Sequence, residues 1–135
     1  MDDKLAHLQM LQGIITRMNG NSFLLKGWTV TLVAALFALA AAKTVPYFVY
    51  LTYFPLIMFW ILDGYFLRQE RLFRELYDHV RGLSRNAITF SMDTSIVASK
   101  VANWRDTCLS KTLLVFYGTI FAAVVLVTLI LIARA

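Results

Sequence analysis

The reading of this chain turns on TVPYFVYLTYFPLIMFWILDGYFLRQERLFRELYDHVRG, residues 44–82. The first 19 of these residues, Thr44–Leu62, contain no Asp, Glu, Lys or Arg. A helix needs about 20 mostly apolar residues to cross the hydrocarbon core of a bilayer, and with its flanks this stretch is long enough. From Asp63 onward the character changes. Phe66, Phe73, Leu76, Tyr77 and Val80 form one apolar stripe, while Arg71 with Glu75 and Arg74 with Asp78 stand at the i,i+4 spacing of helical ion pairs. The expectation is a single helix from about Pro46 to Val80, stopped by Gly82, roughly 50 Å long with about 20 Å projecting beyond the lipid as a stalk. Pro46 suits a first helical position and Pro55 predicts a kink near mid-bilayer.

Two further charge-free stretches flank this one. Gly27–Ala42 has 16 residues, extended to Phe23–Ala42 if Lys26 snorkels to the interface, and Thr112–Ala133 has 22. The 135 residues are 59% apolar and 16% charged, which excludes disorder and an ordinary soluble globule. A single cysteine, Cys108, excludes a disulfide scaffold. The expected fold is an all-α membrane protein with three transmembrane helices. Residues 1–22 form an N-terminal amphipathic helix, with Leu5, Leu8, Leu11, Ile15 and Met18 on one side. Residues 23–42 and 46–66 make a tight transmembrane hairpin, 67–111 a cytoplasmic stalk and loop, and 112–133 the third crossing. Asn19-Gly20-Asn21-Ser22 predicts a break, with Asn21 or Ser22 capping the first transmembrane helix. Ile88, Phe90 and Met92 alternate with polar residues as in a short strand, and Ile96, Val97, Val101 and Trp104 suit a short helix.

Segments 1–26 and 63–111 hold 11 of the 13 Lys and Arg residues. The positive-inside rule then puts the N-terminus and the stalk in the cytoplasm and the C-terminus outside. This distribution accounts for the +5 net charge without nucleic acid. Ala40-Ala41-Ala42 looks like a signal-peptidase site, but about 26 residues, including Asp2 and Asp3, precede the apolar block, so a retained signal anchor is the better reading.

The chemistry-bearing residues are few. His7 and His79 fall on different helices, and no HExxH, CxxC or phosphate-loop motif occurs. No enzyme, metal site or cofactor is expected. Asp63, at the inner edge of the second crossing, requires a partner, and a hairpin turning between residues 44 and 45 puts Lys26 at equal depth. A Lys26–Asp63 clasp, within or between subunits, follows. Gly27, Thr31, Ala34, Ala35, Ala38 and Ala42 recur on one side of the first crossing, and Gly118 and Ala122 on the third, as small-residue faces that let helices approach closely. The face on the first crossing serves either an oligomer or the hairpin itself. The stalk stripe is expected to pack on helix 4–18 or on a neighbouring stalk, rather than lie on lipid, because its polar face mixes both charge signs.

The order of an amphipathic helix, RMNGNSFLLKGW leading into a short hairpin, then DGYFLRQERLFRELYDHV resembles small two- and three-span bacterial membrane effectors found in phage-defence operons. The resemblance implies a homo-oligomer that perturbs the inner membrane when triggered by a separate soluble sensor or enzyme. Two function classes stay open at this point. One is an oligomeric channel or membrane-permeabilising effector. The other is a non-conducting anchor that docks a soluble partner on its stalk. A transporter is disfavoured, because three crossings without internal repeats offer no broken-helix binding site.

Overall fold

The computed structural model describes residues 2–43 and 47–134, which are helical throughout apart from short connections, with no strand among them. Helix α1 runs Asp3–Lys43, a short α2 runs Tyr47–Leu51, α3 runs Tyr53–Arg81, α4 is the five-residue Trp104–Cys108, and α5 runs Lys111–Arg134. Two 3₁₀ turns, Arg85–Ala87 and Ser95–Lys100, lie between α3 and α4. Three helical segments, α1, α2–α3 together and α5, are long and apolar enough to cross a membrane.

Helix α1 corrects the expected break. It continues without interruption through Asn19-Gly20-Asn21-Ser22 as one helix of 41 residues, about 60 Å long. Two Asn and one Gly cost a helix interior roughly 2 kcal/mol against alanine. A break there would orphan backbone donors and carbonyls on both sides, and it would remove Ile15, Ser22 and Leu25 from the buried face they share. Packing against α3 outweighs propensity. Ser22 caps nothing; Asp2 does the capping, its carboxylate accepting from the Lys4 amide at 3.0 Å.

The expected continuous second helix is interrupted at one residue. Pro55 has no N–H to offer the Leu51 carbonyl, and the ladder lapses at Thr52, whose backbone stays helical at φ −66°, ψ −25°. Thr52 bridges the lapse. Its amide donates to the Val49 carbonyl at 3.1 Å, its hydroxyl to the same carbonyl at 2.5 Å, and its own carbonyl accepts from Leu56 at 3.2 Å. Pro46 and the hairpin turn lie outside the described residues.

Helices α1 and α3 lie antiparallel along their length and make the most extensive packing in the molecule. Helix α5 returns antiparallel to α3: Tyr53 meets Thr128 near one end, its hydroxyl 2.8 Å from the threonine oxygen, while Trp60 stacks on Tyr117 near the other. Arg134 and the start of α2 therefore share one end, opposite the stalk. Two separate apolar cores result. Val33, Leu56, Leu113, Tyr117 and Val124 fill the bundle, with Phe37, Phe59 and Trp60 packed around them. Leu11, Leu76, Val80 and Val97 fill the stalk end, where the 84–101 segment covers α1 and α3. The outside of the bundle is apolar and uncovered, as Phe23, Trp28, Phe54 and Leu126 illustrate.

No strand forms at Ile88–Met92, which is irregular extended chain with Phe90 at φ 56°. Ile88 and Met92 pack on the stalk core, and an isolated strand of that length has no partner to pair with. The region expected as a single short helix is instead the Ser95–Lys100 turn followed by α4, whose Asn103 side chain caps it by accepting from the Asp106 amide at 2.9 Å.

Candidate functional site: a three-helix polar node

Asp63 follows Trp60-Ile61-Leu62 and is fully buried. A carboxylate in such a place costs several kcal/mol unless its lone pairs are filled. Three donors fill them. Ser22 of α1 donates to Oδ1. Lys26, one turn later on α1, places Nζ 2.6 Å from Oδ2, and Tyr117 of α5 donates to the same oxygen at 2.7 Å. Lys26 also donates to the Ser22 hydroxyl at 2.8 Å, which ties the two α1 groups together. The two residues expected to clasp the hairpin are thus brought together within one chain, and the clasp extends to the third helix.

Aromatic rings close the node. The Trp60 and Tyr117 rings stack with centroids 5.8 Å apart and planes 10° from parallel, and Phe116 meets Tyr117 edge-on at 4.9 Å. The Lys26 ammonium lies 5.9 Å from both the Phe116 and Tyr117 ring centres, within cation–π range. Helix α4 seals one side. The Trp60 indole donates to the Cys108 carbonyl at 2.8 Å, and the Trp104 indole donates to the Ile61 carbonyl at 3.1 Å. Gly64 permits this approach, since a Cβ there would stand 2.2 Å from the Cys108 sulfur. Burial, and after it the negative charge of Asp63, raise the Cys108 thiol above its ordinary range. That thiol is a poor nucleophile.

The chemistry available here is mechanical. Three donors converge on one carboxylate, and among the described residues no group of His, Cys, Asp and Glu is placed to hold a metal. The node fixes the relative depth of α1, α3 and α5 at the boundary between the bundle and the stalk.

A second polar contact lies at the stalk end. His7 is buried, its Nε2 is 2.8 Å from the Ser91 carbonyl, and its ring lies 5.6 Å from that of Phe90. This fixes the 84–101 segment on the start of α1, aided by Arg85 at 3.6 Å from Asp2.

Of the remaining residues singled out in the sequence, Leu76 and Val80 are buried in the stalk core, with Phe73 and Tyr77 packed against it. Phe66 joins neither core and meets Tyr65 edge-on at 5.7 Å. The stripe packs on α1 of the same chain. The expected Arg71–Glu75 and Arg74–Asp78 pairs do not form. Arg74 instead turns back to buried Glu70 at 2.8 Å, and Asp78 reaches Arg81 at 3.5 Å. Glu70 faces inward, and its burial makes it the stronger claimant on the guanidinium.

The small residues of α1 are not used inside the hairpin. Gly27, Thr31, Ala34, Ala35, Ala38 and Ala42 are all exposed, while Ser22, Leu25, Thr29 and Val33 form the buried face. Of the two on α5, Ala122 is exposed and Gly118 half-buried. Sequence reasoning missed how far the α1 face extends. Gly13, Gly20, Gly27, Ala34 and Ala41 recur at heptad spacing, all are exposed, and nothing approaches the three glycines. It also missed Ser22 and Tyr117 as partners of Asp63. The signal for Ser22 was its place one turn before Lys26; for Tyr117 it was a hydroxyl near the start of α5, level with Asp63.

Comparison with known proteins finds no matching family model, no matching curated protein and no matching solved structure.

Proposed function

We propose that this chain is a bacterial inner-membrane protein that assembles with copies of itself through the small face of α1 into a membrane-permeabilising, channel-like effector. One observation carries the proposal: Gly13, Gly20, Gly27, Ala34 and Ala41 are exposed and recur every seven residues over most of α1. In lipid, close backbone approach is a main source of helix–helix affinity, and a heptad repeat of small residues favours near-parallel packing over several turns. The concentration of Lys and Arg at the stalk end supports a cytoplasmic stalk and N-terminus with a periplasmic C-terminus. A cytoplasmic trigger, such as the separate sensor that the resemblance implies, would act on the stalk and reach the bundle through the Asp63 node.

The test is ion flux from liposomes containing purified protein, with assembly size measured in parallel. Flux from oligomers of the native chain is expected, with both flux and oligomers lost in Ala34→Leu, which puts a branched side chain into the close approach. Absence of flux from a monomeric or dimeric native chain overturns the proposal. A second reading, a non-conducting anchor for a soluble partner, draws on the bundle interior, which Leu56, Leu113, Tyr117 and Val124 fill within one chain. Stable oligomers without flux favour that reading.

A further inference from the structure

A groove runs along one side of α3 where α4 and the residues before it lie alongside. Its lower part is a cleft of about 410 Å³ lined by Met58, Phe59, Ile61, Leu62, Tyr65 and Trp104. That lining is almost wholly apolar, and the volume is within the range of small-molecule sites. The Trp104 N–H is already spent on the Ile61 carbonyl, so the indole contributes apolar surface. One turn beyond Tyr65 the character reverses. Arg68 donates from Nε to the Ala102 carbonyl at 3.2 Å and so crosses the groove. Above it a second cleft of about 270 Å³ is lined by Arg71, Arg74, Glu75, Lys100, Val101 and Ala102. Arg74 is neutralised by Glu70, and Glu75 is the single acid in this lining. Arg68, Arg71 and Lys100 hold no ion pair among the described residues.

We infer that this groove is a binding site for an anionic phospholipid of the leaflet on the stalk side, with an acyl chain in the Met58–Trp104 cleft and the phosphate among Arg68, Arg71 and Lys100. Depth supports the match. With Asp63 at the edge of the hydrocarbon, Met58 lies five helical steps, about 8 Å, inside it, and Arg68 and Arg71 lie five and eight steps, about 8 and 12 Å, on the headgroup side. Charge supports it too. The cations sit on the stalk side of the apolar cleft, at headgroup depth when Asp63 marks the edge of the hydrocarbon. A second copy of the chain docked here would bring like charges together, and a soluble peptide would have to enter the hydrocarbon to fill the lower cleft. The inference rests on the reading of α1, α2–α3 and α5 as membrane crossings, and it is independent of whether the assembly conducts.

The experiment uses the full chain carrying Trp28→Phe, which removes an exposed indole, reconstituted into phosphatidylcholine vesicles. Flotation first establishes insertion. Tryptophan fluorescence is then titrated with dibrominated phosphatidylglycerol or dibrominated phosphatidylcholine, and the Trp104 share is isolated by difference from Trp28→Phe/Trp104→Phe. The expected result is half-maximal quenching of Trp104 at a mole fraction roughly tenfold lower for the anionic lipid. Lys100→Gln, an exposed change, should reduce that preference about fivefold, and Arg68→Gln/Arg71→Gln/Lys100→Gln should abolish it. Equal quenching by the two lipids means ordinary boundary lipid and overturns the site while leaving the membrane reading intact. Absence of quenching in floating vesicles means that protein covers the cleft, and it overturns the site in the same way. Failure to float overturns the membrane reading and the site with it.

Discussion

Replacing Asp63 by asparagine keeps the shape of the side chain and removes its charge, leaving Lys26 without a counter-ion. Lys26 is 22% exposed and can withdraw its ammonium towards water, whereas Asp63 is fully buried and cannot. Lys26→Met should therefore destabilise more than Asp63→Asn, with costs of about 3–5 and about 2 kcal/mol. The double variant should recover at least 1 kcal/mol of the sum, roughly the coupling seen for contacting charged pairs. Chemical unfolding in detergent followed by circular dichroism measures all three; equal single effects with no coupling would mean that the pair is not a unit. The neighbouring Gly64 offers a steric test. Gly64→Ala puts a methyl group into the Cys108 sulfur and should cost about 1–3 kcal/mol, with Cys108→Ala restoring most of it. Cys108 also gives a pH signature. Its folded-state thiol is raised, so its contribution to stability is fully present below the ordinary thiol range and is lost as pH rises through and above that range. The native chain should lose stability above about pH 8.5 faster than Cys108→Ala does, and a water-soluble maleimide should label the folded chain more slowly than the unfolded one.

At the scale of the elements, the contest is between local propensity and packing, and α1 shows packing winning. If Asn19-Gly20-Asn21 is tolerated only because Ile15, Ser22 and Leu25 hold the face against α3, replacing all three outward or half-outward residues by alanine should stabilise the chain. The gain should be about 2 kcal/mol in unfolding free energy with no loss of helix signal; a loss of stability would mean that the segment works as a cap or hinge. This element also marks where the sequence could be read and where it could not. The three long apolar helices, the projection of α3 beyond Leu62 and the Lys26–Asp63 match were legible because length, charge-free runs and hairpin depth are one-dimensional quantities. Continuity through residues 19–22 was not, because burial on α3 decides it. The inward turn of Glu70, which draws Arg74 away from Asp78, was hidden for the same reason, as was the irregular path of 88–92, fixed by His7 and the stalk core. Tyr117 needed the depth of a third helix, which a hairpin rule between two helices does not supply.

The molecule as a whole is two cores on two shared helices, joined at one polar layer. Leu56 belongs to the bundle core and Leu76 to the stalk core, both are buried, and α3 carries both. Truncating either to alanine should cost about 2–5 kcal/mol locally, but the consequences should separate. Leu76→Ala loosens the layer in which the 84–101 segment lies on α1 and α3, so a protease added on the stalk side should cut between Gly82 and Asn103 several times faster. The Trp60–Tyr117 stack and the bundle should keep their near-ultraviolet dichroism. Leu56→Ala should do the reverse, disturbing that dichroism while leaving cleavage of the 84–101 segment close to native. Asp63→Asn lies on the boundary and should move both readouts, since the carboxylate is held by α1 and α5 at the level where the bundle gives way to the stalk. If Leu76→Ala and Leu56→Ala each shift both readouts equally, the two cores melt as one unit. The node would then be one contact among many, and a signal arriving at the stalk would need no special residue to reach the bundle.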